Sequence, residues 1–180
     1  LTIAAPMNEP ELRNMMYTAL GSGHPFMIRY PRGHGEGLPW RGEKFETLPV
    51  GRGRRLREGA DVALLTVGTV GNAAARAAGR AAAEGVSVAH YDLRFVKPLD
   101  EALLDEVGRK FRRVVTVEDG SLRGGVGEAV AAFFNGRGYD VRVQRLGIGD
   151  EWVEHGTPGQ LYALCGYDEE GILRALLDTR

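Results

Sequence analysis

The feature that most constrains the fold is a regular alternation, beyond about residue 60, between short apolar runs and longer helical patterns. The apolar runs are rich in Val, Leu and Ile and predict strands at 62–67, 86–91, 114–117 and 141–146. The helical patterns fall at 72–84, 100–108, 126–135, 158–164 and 168–177. Near-continuous apolar strands are typical of a sheet covered on both faces. We therefore predict an α/β fold with a mostly parallel sheet covered by helices.

The first thirty residues predict a separate strand, helix and strand. Residues 1–6 and 26–30 are the strands, and Asn8 with Glu11 matches a capping box before a helix over 9–20. Its apolar residues recur on one face: Leu12, Met15, Met16, Ala19 and Leu20. A buried strand is an unusual beginning for an independent protein, so we expect the sequence to start inside a domain.

A polar stretch from about 31 to 59 is interrupted by Gly and Pro and shows no sustained period, which indicates a linker. Its last part, 50–58, carries four arginines that would keep an edge strand soluble. The predicted boundaries are 1–38 for the end of one domain, 39–49 for the linker and 50–180 for a second domain.

Charge and cysteine content restrict the partners and the location. The chain has 23 Lys plus Arg against 24 Asp plus Glu, which disfavours bulk electrostatic binding to nucleic acid or an anionic membrane. Cys165 is the only cysteine, so it forms no internal disulfide, and we interpret it as an apolar core residue. No run approaches a membrane span. We expect a cytoplasmic protein without nucleic-acid or membrane partners.

The sharpest local pattern is Arg29-Tyr30-Pro31-Arg32-Gly33, at the carboxyl end of a predicted strand. Open α/β sheets bind ligands at this end of their strands. The planar guanidinium of arginine matches phosphate, and Pro31 fixes the backbone before Arg32. Arg32 and Arg29 are therefore candidate phosphate-binding residues, against the alternative of surface arginines in a loop.

A second pattern, Gly124-Gly125-Val126-Gly127, opens a predicted helix and is similar to a phosphate cradle. It departs from the dinucleotide fingerprint at its last glycine, so we favour tight strand-to-helix packing. Glu118 and Asp119 end the strand before it, and adjacent residues of a strand face opposite ways. We therefore interpret them as capping or solvated residues and not as a catalytic pair.

The sequence offers no metal site and no complete catalytic machinery. The four histidines, His24, His34, His90 and His155, lack metal-ligand spacing. His155 precedes Gly156-Thr157 in a predicted helix-initiating turn. There is no nucleophile elbow, Walker loop or Cys-His arrangement.

Five segments, in this order and spacing, carry a family resemblance: residues 3–12, 28–33, 92–100, 115–119 and 154–157. They resemble the deoxyxylulose-phosphate synthases, a group within the thiamine-diphosphate-dependent transketolase family. The string Arg94-Phe95-Val96-Lys97-Pro98-Leu99-Asp100 is the most specific, together with the Arg29 to Gly33 string. Residues 120–123, Gly-Ser-Leu-Arg, depart from the family, where Asn with small apolar residues is more usual.

The resemblance implies that 1–38 end a thiamine pyrimidine-binding domain and that 50–180 are the transketolase C-terminal domain. The complete enzyme would use thiamine diphosphate and Mg²⁺ to condense pyruvate with D-glyceraldehyde 3-phosphate, with loss of CO₂. Their binding motifs and the catalytic residues are expected outside this segment. Arg32 would contact the acceptor's phosphate, with Arg29 as a weaker candidate. The expected partners are the rest of the polypeptide and a second copy in a homodimer.

Three other hypotheses stay open at this point. The β subunit of a 2-oxoacid dehydrogenase shares the domain order and cofactor, although an arginine aimed at a sugar phosphate argues against it. Transketolase itself lacks the Arg94 to Asp100 string. The third is a non-catalytic oligomerisation module.

Overall fold

The computed structural model describes residues 1–42 and 44–178. Glu43 of the predicted linker and residues 179–180 of the predicted second domain lie outside the described residues. The strands are β1 (Thr2–Ala4), β2 (Phe26–Ile28), β3 (Arg54–Arg57), β4 (Val62–Val67), β5 (Val88–Asp92), β6 (Phe95–Lys97), β7 (Arg113–Ser121) and β8 (Arg142–Ile148). The helices are α1 (Glu9–Gly21), α2 (Val70–Ala83), α3 (Glu101–Lys110), α4 (Val126–Gly136), α5 (Pro158–Leu164) and α6 (Glu169–Leu177).

The larger sheet, here called the central sheet, has the strand order β3-β5-β4-β7-β8. Strands β5, β4, β7 and β8 are parallel, and β3 adds antiparallel to β5 at the edge. This confirms the predicted parallel α/β fold and the arginine-rich edge strand.

Helices cover both faces of the central sheet, as the apolar strands predict. Every residue of β4 is buried. On one face α2 and α6 pack against it, and α2 contributes a stripe of fully buried small residues at helical spacing: Ala74, Ala77, Ala78 and Ala81. On the other face lie α3 and α4, with Leu104, Val107 and Phe134. Cys165 is partly buried against the first of these clusters.

The smaller sheet, here called the N-terminal sheet, has the order β2-β1-β6. Strand β1 pairs parallel with β2, as expected for a strand, helix and strand unit. Its other edge pairs antiparallel with β6. No strand was predicted at Phe95–Lys97, because a three-residue run has no measurable period. Through β6, the Arg94 to Asp100 string links the N-terminal sheet to the central one.

Helix α1 buries a different face from the one its apolar residues predicted. Met16 and Leu20 are 55% and 87% exposed, whereas Glu11, Asn14 and Thr18 are buried beside Met15. The prediction of one apolar buried face was therefore wrong. The reason is that the chain segment before β3 covers the face that carries Asn14 and Thr18. There, Thr18 Oγ1 accepts a hydrogen bond from the Leu48 N–H at 2.8 Å. Asn14 Oδ1 accepts one from the Glu46 N–H at 3.3 Å.

The predicted capping box is only half formed. Asn8 Oδ1 accepts from the Glu11 N–H at 3.1 Å, as an N-cap residue should. The Glu11 side chain turns away instead, and its two oxygens accept from Arg94 Nε and Nη2, each at 2.8 Å. Arg54 lies 2.9 Å from Glu11 and 3.2 Å from Asp92, which joins these residues into one ion-pair network between α1 and the central sheet. Burial raises the pKa of Asp92 to about 6.

His90 on β5 is buried and couples stability to pH. Its Nε2 lies 2.9 Å from Thr66 Oγ1. Burial, followed by the charges of Arg54 and Arg57, lowers the pKa of His90 from 6.5 to about 4. Folding therefore favours the neutral imidazole. The contribution of His90 to the free energy of unfolding is complete above pH 6.5 and is lost as the pH falls towards 4.

Lowering the pH from 7 to 5 should reduce the contribution of His90 to the free energy of unfolding by about 2 kcal/mol. The measurement is equilibrium urea unfolding at a series of pH values for the wild-type chain and His90→Gln. The raised pKa of Asp92 acts in the opposite direction, but it is present in both proteins and cancels in the difference. Parallel pH profiles for the two proteins would contradict this account of His90.

Among residues 1–42 and 44–178, the helices are all too short or too polar to cross a bilayer.

Candidate functional site

A cavity of about 530 Å³ lies where the segment after β2 meets α1 and the helices of the central sheet. The N-terminal end of α1 contributes Asn8 and Glu9, and the segment after β2 contributes residues 30–36. Arg76 of α2 and Tyr162 of α5 also line the cavity. The cavity therefore draws its lining from both ends of the chain.

Arg32 is placed at this cavity with its guanidinium available. The residue is exposed and lines the cavity, directly after Pro31 and before Gly33, whose φ of +139° suits glycine. It makes no hydrogen bond or ion pair with any residue in the described part of the chain. An unpaired arginine at the rim of a partly apolar cavity fits an anionic ligand group.

Arg29 lines a different cavity from the one that Arg32 lines. Its N–H donates to Ala4 O at 2.8 Å, which continues the pairing of β2 with β1. Its side chain lines a much smaller cavity beside Asp119, and Arg29 Nη1 comes within 3.8 Å of the position that a Cβ on Gly120 would take. The two candidate arginines thus border separate cavities, with Tyr30 and Pro31 between them. Their phosphate-binding role stays a prediction.

Asp119, which was predicted to be a capping or solvated residue, is half-buried and instead anchors the helical wall of the larger cavity. Tyr167 donates to Asp119 Oδ1 at 2.9 Å, and Tyr162 donates to Oδ2 at 3.2 Å. Burial and the nearby carboxylate raise the pKa of both phenols. Because Tyr162 and Tyr167 come more than forty residues after Asp119, no local pattern could have indicated this cluster.

Glu118 occupies the N-terminus of α4, where the glycine pattern was similar to a phosphate cradle. Its two oxygens accept from the N–H groups of Val126 and Gly127, each at 2.8 Å. A Cβ on Gly125 would lie 2.2 Å from Ser121 O and 2.6 Å from Glu118 Oε2. The prediction of tight packing and capping is confirmed, because the protein's own carboxylate fills the position of an anion.

The histidines lie apart from one another. His34 lines the larger cavity, His24 bonds to Thr2, His90 is buried in the central sheet, and His155 is exposed before α5. Within residues 1–42 and 44–178, no three His, Cys, Asp or Glu residues are grouped so that they could hold a metal ion.

Comparisons with known proteins identify the family. Residues 51–172 match the family model of the transketolase C-terminal domain. The chain is 54% identical to the 1-deoxy-D-xylulose-5-phosphate synthase of Bacteroides fragilis, over 100% of the chain and 28% of that protein. It is 43% identical to the synthase of Symbiobacterium thermophilum, over 96% of the chain and 26% of that protein.

A solved structure supports the same relationship. It is described as a split-gene transketolase in an inactive β4 tetramer, with a TM-score of 0.84 and 29% identity over 97% of this chain and 56% of that one. The chain spans little more than a quarter of the length of the curated relatives named above. It therefore belongs to the transketolase family and matches the C-terminal part of the 1-deoxy-D-xylulose-5-phosphate synthases.

Proposed function

We propose that this chain is the C-terminal part of an enzyme that condenses pyruvate with D-glyceraldehyde 3-phosphate, with loss of CO₂, to give 1-deoxy-D-xylulose 5-phosphate. The observation that carries this proposal is Arg32, which lines the larger cavity without a partner among the described residues. The similarity to synthases over the full chain supports the same reaction class.

In this proposal Arg32 binds the phosphate of the acceptor. The guanidinium can donate two parallel N–H bonds to phosphate oxygens, which fixes direction as well as charge. The phosphate does not react, so its binding serves to hold the aldehyde in position and removes part of the entropic barrier. Arg29, whose side chain borders the smaller cavity, is proposed as a weaker contributor.

The cofactor belongs to the remaining polypeptide in this proposal. Thiamine diphosphate, when bound, supplies the carbanion chemistry. Among the described residues, no three His, Cys, Asp or Glu side chains are grouped, so we propose that its Mg²⁺ ion is also held by the remaining polypeptide. We therefore assign neither cofactor binding nor a catalytic step to this segment.

We propose the same domain boundaries as before: 1–38 as the end of the pyrimidine-binding domain, 39–49 as the linker and 50–180 as the C-terminal domain. The partners would be the rest of the polypeptide and a second copy in a homodimer. An exposed apolar strip on α1 supports a neighbour on this side, and it consists of Met16, Tyr17 and Leu20.

Replacing Arg32 by alanine in the full-length enzyme should raise the KM for D-glyceraldehyde 3-phosphate roughly 10- to 100-fold, because a charge-assisted hydrogen bond to the phosphate is lost. The KM for pyruvate should change less than twofold, because pyruvate has no phosphate. Steady-state kinetics with each substrate varied in turn measures both constants.

Arg41→Ala is the matched control, because Arg41 is an exposed arginine of the same segment that stacks on Trp40 outside the cavity. It should leave both constants unchanged. Equal increases in the two KM values for Arg32→Ala would contradict the assignment of Arg32 to the acceptor's phosphate.

A further inference from the structure

Glu9, the first residue of α1, holds the segment that carries Arg32. This segment, residues 30–37, is called the Arg32 loop below. The Gly37 N–H donates to Glu9 Oε1 at 2.7 Å. The loop also approaches the carboxylate closely at Gly35, where an added Cβ would stand 2.2 Å from the same oxygen. The loop backbone therefore rests directly on the Glu9 carboxylate.

The charge of Glu9 suits this contact. The backbone N–H groups of Glu9 itself and of Gly37 lower the pKa of the Glu9 carboxyl below its ordinary value, which keeps it an ionised acceptor at neutral pH. Its position in the first turn of α1 adds a favourable interaction with the helix dipole. Glu9 thus places an ionised acceptor at the first turn of α1, directly against the loop backbone.

The Arg32 loop has few other polar contacts. Within the described part of the chain, the other polar contact of residues 31–37 is an ion pair between Glu36 and Arg76 at 3.8 Å, with both side chains about half exposed. Exposed ion pairs of this kind contribute little to order. Gly33 and Gly37 have φ values of +139° and +75°, so glycine gives the loop backbone freedom that an external support must restrict.

We propose that Glu9 is a positioning residue for the phosphate of the acceptor, acting through the Arg32 loop. This inference rests on the proposed function of Arg32. A loop that must become ordered on binding loses conformational entropy at that moment, whereas a loop already seated on Glu9 does not. Glu9 itself need not touch the substrate, since Oε1 is engaged by Gly37.

The test uses the full-length enzyme and compares kcat/KM for D-glyceraldehyde 3-phosphate with kcat/KM for unphosphorylated D-glyceraldehyde. Their ratio is the phosphate preference. Glu9→Ala should lower this preference about tenfold, because a charged hydrogen bond that orders the loop is removed. Gly35→Ala should reproduce the loss, because its Cβ would stand where the Glu9 carboxylate lies and would separate this carboxylate from the Gly37 N–H.

Glu9→Gln is the matched control, because glutamine keeps an acceptor oxygen for the Gly37 N–H. The phosphate preference of Glu9→Gln should stay within about threefold of the wild-type value. A small loss is expected because the amide nitrogen replaces Oε2, and Oε2 is buried without a partner among the described residues. In an Arg32→Ala background, Glu9→Ala should cause no further loss, since Glu9 acts through Arg32.

Two results would overturn the inference while the role of Arg32 stands. The first is that Glu9→Ala keeps the wild-type phosphate preference while Arg32→Ala loses it. The other is a further tenfold loss in the double variant. If Arg32→Ala keeps the wild-type preference, the proposed function fails, and the phosphate role of Glu9 fails with it.

Hydrogen exchange of residues 33–38 in the full-length enzyme tests the support of the loop separately from catalysis. Exchange of the Gly37 amide should be at least about tenfold faster in Glu9→Ala than in Glu9→Gln, because the Gly37 N–H keeps an acceptor oxygen in the glutamine variant and loses it in the alanine variant. Equal exchange in the two variants would show that Glu9 does not order the loop.

Discussion

Replacing Arg94 by alanine should lower the free energy of unfolding by about 3 kcal/mol, because the buried Glu11 carboxylate loses one of its two arginine partners. Arg94 Nε and Nη2 donate to the two oxygens of Glu11, each at 2.8 Å, and the side chains are only 13% and 7% exposed. In the variant Glu11 keeps Arg54 alone. Equilibrium urea unfolding of the chain measures the loss.

Two variants separate the ion pair from other effects. Arg94 has a φ of +57°, so Arg94→Gly loses the same pair but relieves a left-handed backbone, and it should be about 1 kcal/mol more stable than Arg94→Ala. Arg137→Ala removes an arginine that pairs with Glu101 at 2.9 Å, with both side chains at least half exposed, and should cost less than about 1 kcal/mol. A similar loss for Arg94→Ala and Arg137→Ala would contradict the importance of burial.

Glu118→Ala should cost about 3 kcal/mol, because the N–H groups of Val126 and Gly127 would lose their acceptor at a buried helix N-terminus. The loss of a negative charge from this end of α4 adds to the effect. Thermal and urea unfolding measure it, and circular dichroism should show reduced helix content if the first turn of α4 frays.

Glu128→Ala is the control for Glu118, because Glu128 lies in the same first turn of α4 and accepts from the Gly124 N–H at 3.1 Å from an exposed position. It should cost less than about 1 kcal/mol. If Glu118→Ala were no more destabilising than this control, the buried carboxylate would not be what caps α4.

Local patterns predicted much of the central sheet correctly. Strand β4 and helix α5 begin and end at the predicted residues, and the edge position of β3 followed from its arginines. These features depend on residues that are close in sequence, such as a continuous apolar run or a helix that starts after Thr157. The position of the Arg29 to Gly33 string after a strand was predicted on the same basis.

Long-range contacts account for the features that the sequence did not predict. Glu11 resembles a capping residue from its neighbours, yet its partner Arg94 lies 83 residues away. Met16 and Leu20 fit a buried face only if the segment around Leu48 is ignored. The cavity at Arg32 likewise required Tyr162 from the far end of the chain. Periodicity contains no information about such partners.

The placement of β6 beside β1 also has a consequence during synthesis on the ribosome. Ala4 of β1 pairs with Phe95 of β6, so the partner strand emerges some ninety residues later. At translation rates of about 5 to 20 residues per second, one edge of β1 stays unpaired for several seconds until β6 has been synthesised. During this interval the nascent chain presents an open strand edge, which is the kind of surface that chaperones shield from aggregation.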